Sequence, residues 1–278
     1  MRDVANSVPS GVADFDSIIK GGFPPGSVVL LVGEPGAGQT EFALTSAAKL
    51  CMAKERPESR PFMLGRAKDA KLPDKICYIT FSRSRDEVLQ EIKSAFNDEF
   101  YDAFDRNVQF KDFSDAYFRR TVVPRSWAGE SSSIFSSGPQ DNVLESLVNY
   151  LDENAPGSMI IIDSLTDLVV SANIEITDLV AVLRGMQRVS KKWGGVVYLV
   201  LTDNVLDERK QRMLEDSVDG SLFFEWSRLG NSSKRQRYLY VEKFISLLPH
   251  LEKERIARFA TVVTAQSGLV VIDTERIG

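Results

Sequence analysis

One stretch constrains this chain more than any other: Gly33-Glu34-Pro35-Gly36-Ala37-Gly38-Gln39-Thr40, set directly after an apolar run at 27–32. A short, uniformly apolar run reads as a strand buried on both faces, and residues 40–54 follow it as a helix. Strand, glycine-rich turn and helix in that order build an anion cradle. Gly33, Gly36 and Gly38 let backbone N–H groups converge, and the helix adds the positive end of its dipole. The stretch fits the phosphate-loop template at every position but one. Gln39 stands where the template has a lysine, so the cation that reaches the β and γ phosphates of a nucleotide is missing. Thr40 keeps a hydroxyl where a Mg²⁺ ligand belongs, and Glu41 adds negative charge in the first helical turn. A bare relic of such a loop, kept only by the fold, is the alternative.

The rest of the chain alternates short apolar runs with helix-length segments, which predicts an α/β fold: a mainly parallel sheet flanked by helices. Strands are expected at 75–81, 108–113, 158–162 and 196–201. Helices are expected from Ser84 (with Glu87 completing a capping box), at 140–153, at 207–216 and at 178–193. Gly194 and Gly195 stop the last of these. Four close-spaced runs, 221–226, 236–245, 258–265 and 269–272, read as antiparallel strands extending one edge of the sheet. The polar stretch 55–74 reads as a surface insertion. The aperiodic stretch 125–139 reads as a long loop, with Trp127 and Phe135 forming a lid or a partner site. With no linker to divide it, the chain is taken as one domain, 1–278.

A second landmark is the run Met159-Ile160-Ile161-Ile162-Asp163, an apolar strand ending in a carboxylate. Alone, such an Asp is commonly a helix cap or turn residue. Beside a phosphate loop, it can hold the water shell of Mg²⁺. Thr40 and Asp163 are therefore the candidate metal residues, and ATP with Mg²⁺ the candidate ligand pair.

Composition narrows the other classes. With 34 basic against 39 acidic residues and a net charge of −5, the chain carries no basic footprint for nucleic acid. Its candidate contacts (Lys191, Lys192, Arg209, Lys210, Arg212, Lys234, Arg235 and Arg237) are interleaved with Asp207, Glu208, Glu215 and Asp216, the pattern of a solvated face. Cys51, Cys77 and His250 are too few for a structural zinc site. Cys77 reads as a small core residue, and His250 as a packing histidine. The polar N-terminal ten residues do not resemble a signal peptide, and no apolar run reaches membrane-spanning length. A cytoplasmic protein is expected.

The opening Gly11-Val12-Ala13-Asp14-Phe15-Asp16, then Gly21-Gly22-Phe23-Pro24-Pro25-Gly26-Ser27 and the loop, resembles the KaiC-like and RadA-like branch of the RecA superfamily. The likeness continues through Tyr78-Ile79-Thr80-Phe81, Ile161-Ile162-Asp163-Ser164-Leu165, Asp219-Gly220 and Arg237-Tyr238-Leu239-Tyr240-Val241-Glu242-Lys243. It implies a RecA-like fold, ATP binding and a homo-oligomer or related RecA-like partner, with ATP held between subunits. It also implies that Lys243 reaches a neighbour's phosphates. The departures matter as much. Such proteins carry one or two glutamates directly after the second strand to activate water, whereas this chain has Ser82-Arg83-Ser84-Arg85. Their Lys-Met-Arg-Gly run appears as Lys243-Phe244-Ile245-Ser246, without the arginine. A nucleotide-binding protein with weak or absent hydrolysis, regulatory or assembling, is the function these residues imply. The alternatives are an interaction protein with a closed site, or a slow ATPase in which Arg83 or Lys243 replaces the missing lysine.

Overall fold

The computed structural model describes residues 6–118, 121–124, 142–171, 174–228 and 235–277. The expected segment 125–139 with Trp127 and Phe135, the start of the helix expected at 140 and the candidate Lys234 all lie outside them. In chain order the first half comprises α1 (Ala13–Ile18), β1 (Ser27–Gly33), α2 (Gln39–Glu55), α3 (Arg60–Leu64), β2 (Ile76–Thr80), α4 (Arg85–Ala95), α5 (Asp98–Asn107), β3 (Val108–Asp112) and α6 (Ser114–Phe118). The second half comprises α7 (Val143–Asn154), β4 (Met159–Ile162), α8 (Leu165–Val170), α9 (Ile176–Trp193), β5 (Val196–Thr202), α10 (Glu208–Asp216), β6 (Gly220–Arg228), β7 (Arg235–Phe244), α11 (Leu248–Lys253), β8 (Ile256–Thr264) and β9 (Gly268–Arg276).

The strands form one sheet in the order β3-β2-β4-β5-β1-β6-β7-β8-β9. Every pairing from β3 to β6 is parallel, and every pairing from β6 to β9 is antiparallel. The four late strands are antiparallel to one another as expected, and β6 joins them to the parallel set by running parallel to β1. The helix α10 between β5 and β6 supplies the crossover that a parallel neighbour needs, whereas the later strands join by shorter connections that reverse the chain.

β1 lies at the centre with all seven residues buried, which is why its sequence is apolar without alternation. Val29 and Leu31 face the core under α2 and α5; Val28, Leu30 and Val32 face the core under α7 and α9. The N-terminal signature serves this packing. Phe15 stacks into an aromatic cluster with Phe23, Phe42 and Phe259 at centroid distances of 6.1, 5.8 and 5.4 Å. The buried Asp16 carboxylate accepts the backbone N–H groups of Ser10 at 2.9 Å and Gly11 at 3.1 Å.

Local signals fold as read at several points. Ser84 and Glu87 form the reciprocal capping box of α4, and Gly194 ends α9 in the left-handed conformation at φ 74°. Cys77 is fully buried. His250 sits on α11, its Nε2 3.0 Å from the Ile18 carbonyl, a packing contact. The stretch 55–74 differs from a plain surface insertion: α3 and two short 3₁₀ turns bury Leu64, Ala67 and Ala70. Those three recur every third residue, a spacing that the many Lys, Arg and Pro residues around them mask. The helices α5 and α8, absent from the sequence reading, are capped by Asn97 and by a Ser164–Asp167 box.

Candidate nucleotide site

The glycine-rich loop leaves β1 at the carboxyl end of the parallel strands and enters α2 at Gln39. The carboxyl ends of parallel strands are where open α/β sheets hold their ligands. Gly36 and Gly38 take φ values of 74° and 125°, conformations open to glycine and strained for other residues. A methyl group placed on Gly36 would meet nothing within 4 Å, so the loop opens to solvent there. The seventeen residues of α2 aim the positive end of their dipole at the loop.

Gln39 does not point out of this cradle. Its side chain is buried at 5% exposure, and Nε2 donates to the Gly33 carbonyl at 3.2 Å. Oε1 is buried with no partner among the described residues. The neutral donor of the Gln39 amide is thus used inside the loop, and a buried acceptor is left unsatisfied beside it.

The neighbouring strand ends hold a different chemistry. Asp163 follows β4 and is buried at 6% exposure. Its Oδ2 accepts the Tyr78 hydroxyl at 2.5 Å and lies 3.3 Å from Arg83 Nη1. Burial holds the Asp163 carboxyl above the usual range, against the opposing pull of Tyr78 and Arg83. Arg83 is itself penalised by burial, yet the Asp163 carboxylate raises its pKa overall. Its second guanidinium nitrogen pairs with Glu91. The turn is fixed by Thr80, whose hydroxyl donates to the Arg83 carbonyl at 2.6 Å. Glu87 is engaged by Ser84, whose backbone N–H donates to it at 2.7 Å. An arginine therefore stands on the acid where a metal's water shell would gather, and no glutamate is positioned as a base at this turn. The donor set at Asp163 does not fit Mg²⁺: the carboxylate is already neutralised and hydrogen-bonded from within the chain.

The remaining cations are spread over the molecule. Lys243 donates to the carbonyls of Glu215, Asp216 and Val218 at 2.8, 3.1 and 2.8 Å, where it caps the end of α10. It stands six residues along β7 from Arg237, about 20 Å for an extended strand, and so away from the loop in the same chain. Ile245, where the resemblance would place an arginine, is 86% exposed. Of the basic residues weighed for nucleic acid, Lys191, Lys210 and Arg212 pair with Asp219, Asp207 and Glu215. That is the mixed, solvated face that the interleaved charges imply.

One contact at the loop was not foreseen. Arg237, on β7, donates from Nε to the Gly36 carbonyl at 2.9 Å. Its guanidinium lies over the Trp226 ring, 4.4 Å from the centroid, with Arg235 at 4.6 Å. Arg237 stands in the sequence as one charge in a mixed run. Only the antiparallel register, which sets Arg237 opposite Trp226, brings it to the loop.

Comparison with known proteins bears on the fold and on the N-terminal segment. Residues 8–57 match the model of the KaiC ATPase family. No curated protein matches the chain. Among solved structures, a KaiC-like protein from the hyperthermophilic archaeon Pyrococcus horikoshii is similar over 97% of this chain and 100% of its own, with a TM-score of 0.63 and 17% identity. The fold is RecA-like. Because 667 solved chains match in all, that fold alone discriminates little among functions.

Proposed function

We propose that this chain, a KaiC-like P-loop protein by its N-terminal match and its fold, binds a nucleoside polyphosphate of the ATP class and hydrolyses it weakly or not at all. Its role is then regulation or assembly, with a second copy or a related RecA-like subunit as partner. The observation that carries this reading is the contrast at the strand ends: the loop keeps the backbone of an anion cradle, while Arg83 sits on Asp163.

Magnitudes separate binding from turnover. A charged hydrogen bond to phosphate contributes about 1.5–3 kcal/mol, so losing the lysine weakens binding by about one to two orders of magnitude. A missing general base lowers the rate by about 10²–10⁴, and a missing charge-stabilising donor by about 10²–10³. These effects do not simply multiply, but hydrolysis loses two contributions and binding one. Gly33, Glu34, Pro35, Gly36, Ala37, Gly38, Gln39, Thr40 and Glu41 form the phosphate-facing part of the proposed site. Asp163 is its neutralised wall, and Lys243 can reach nucleotide only across a subunit boundary.

The test is a titration with ATP, read by melting temperature and by phosphate release. A saturable rise in melting temperature without steady phosphate release is expected. Tight binding with brisk release would sink the proposal. Burial of Gln39 also favours a second reading, in which the loop is closed and the fold serves a partner surface; absence of any thermal shift at saturating ATP selects it.

A further inference from the structure

We infer that polyphosphate binding at this loop is independent of a divalent metal, and that Arg237 supplies the cation that Gln39 does not. The inference rests on the nucleotide-binding reading above and names the charge that reading lacks.

Three cations are close enough in sequence or fold to be considered. Arg83 is committed to Asp163 and Glu91. Lys243 is committed to three carbonyls at the end of α10. Arg237 alone of the three touches the phosphate loop, and it does so through Nε, one nitrogen of its guanidinium. Among the described residues no carboxylate lies within ion-pair distance of it, whereas Arg235 beside it has Glu34 at 3.9 Å. The arrangement divides the work: Arg235 offsets the loop's own acid, and Arg237 keeps an unneutralised charge at the rim where Gly36 opens to solvent.

The Trp226 ring fixes that charge in place. An arginine stacked on an indole face is held without being neutralised, and a pre-positioned guanidinium can engage two phosphate oxygens at once. Gln39 does not stand in the way of an anion. Its buried Oε1 has no donor, so a modest rotation that turns the amide toward an anion breaks one bond to Gly33 and strands nothing further. The metal is dispensable for the same reason that it does not fit: Arg83 and Tyr78 already engage the Asp163 carboxylate, so it is not free to gather a cation.

Isothermal titration of the full chain with ATP, with AMP and with inorganic tripolyphosphate, in Mg²⁺ and in excess EDTA, tests this for wild type, Arg237→Gln and Arg237→Lys. Glutamine keeps a donor for the Gly36 carbonyl and removes the charge. The expected result is ATP and tripolyphosphate affinity unchanged by EDTA, weakened about 10–100-fold in Arg237→Gln and only partly restored in Arg237→Lys, which returns the charge without the planar fork. AMP, with its single phosphate, changes less. Equal affinity of wild type and Arg237→Gln would overturn the inference and leave Arg237 as a loop anchor. Loss of wild-type binding in EDTA would overturn the metal independence. Failure of wild type to bind ATP under either condition would overturn the nucleotide reading itself.

Discussion

The loop after β1 and the turn after β2 both leave the carboxyl ends of parallel strands, yet they differ in what has been replaced. The loop keeps its backbone and changes one side chain: Gly36 and Gly38 hold their positive φ, α2 begins on time, and only Gln39 departs. The turn keeps its backbone and inverts its charge, placing Arg83 against Asp163. Anion binding depends mainly on converging N–H groups and a helix end, which tolerate a side-chain change. Hydrolysis depends on the identity and charge of particular side chains, which do not tolerate inversion. On the proposed function, the two regions together are a cradle separated from its catalyst.

The largest expected effect comes from reversing both changes at once. Gln39→Lys with Ser82→Glu returns a phosphate cation and a base, but Arg83 still occupies Asp163. We expect little phosphate release from that pair, and a rise of about 10²-fold or more once Arg83→Ala is added. Steady-state phosphate release measures it, with melting temperature as the control for folding. If the pair alone reaches the same rate, Arg83 is no obstacle and the contrast between the two regions fails.

A smaller effect isolates the turn. Arg83→Met removes the partner of a nearly buried carboxylate and is expected to lower stability by about 1–3 kcal/mol. Because burial already holds the Asp163 carboxyl high, the acid can escape by taking up a proton. The loss is therefore larger at high pH than at low pH. Asp163→Asn in the same background recovers part of it, and a double-mutant cycle gives the coupling. Additive single losses would mean that the 3.3 Å pair is incidental.

What could be read without coordinates follows the range of the interactions. The cradle, the Ser84–Glu87 cap and the Gly194 stop are local, each settled by residues a few positions apart, and the structure reproduces them. The central strands announced themselves because burial on both faces leaves no polar residue to confuse the pattern. The Arg83–Asp163 pair spans 80 residues and the Arg237–Gly36 contact spans 201. Neither has a signature along the chain. Along the chain Arg83 reads only as a stand-in for the missing lysine, and Lys243 as reaching a neighbour; their partners within the chain need the sheet order to be seen. That β6 also runs parallel to β1 follows from a crossover and not from its own residues.

The smallest effect compares Asp163 with a second buried acid, Asp16. Asp16 is fully buried, accepts hydrogen bonds from the Ser10 and Gly11 backbone N–H groups and from the Ser10 side chain, and is pushed up to about 7, chiefly by burial and against the pull of those bonds. Its unfolded value is the ordinary 3.8. Between those values the folded chain holds the proton more tightly than the unfolded one, so stability falls as pH rises and levels off above the folded value. The slope from this one group is at most about 1.4 kcal/mol per pH unit. Asp16→Asn keeps one acceptor, removes the titration and is expected to flatten the fall in melting temperature between about pH 5 and about pH 7. Asp163 shifts in the same direction, so any slope left in Asp16→Asn should disappear when Asp163→Asn is added. A slope untouched by Asp16→Asn would place the titration elsewhere. A slope removed by Asp16→Asn alone would mean that Arg83 keeps Asp163 ionised throughout, which would strengthen the pair as the internal substitute for a metal.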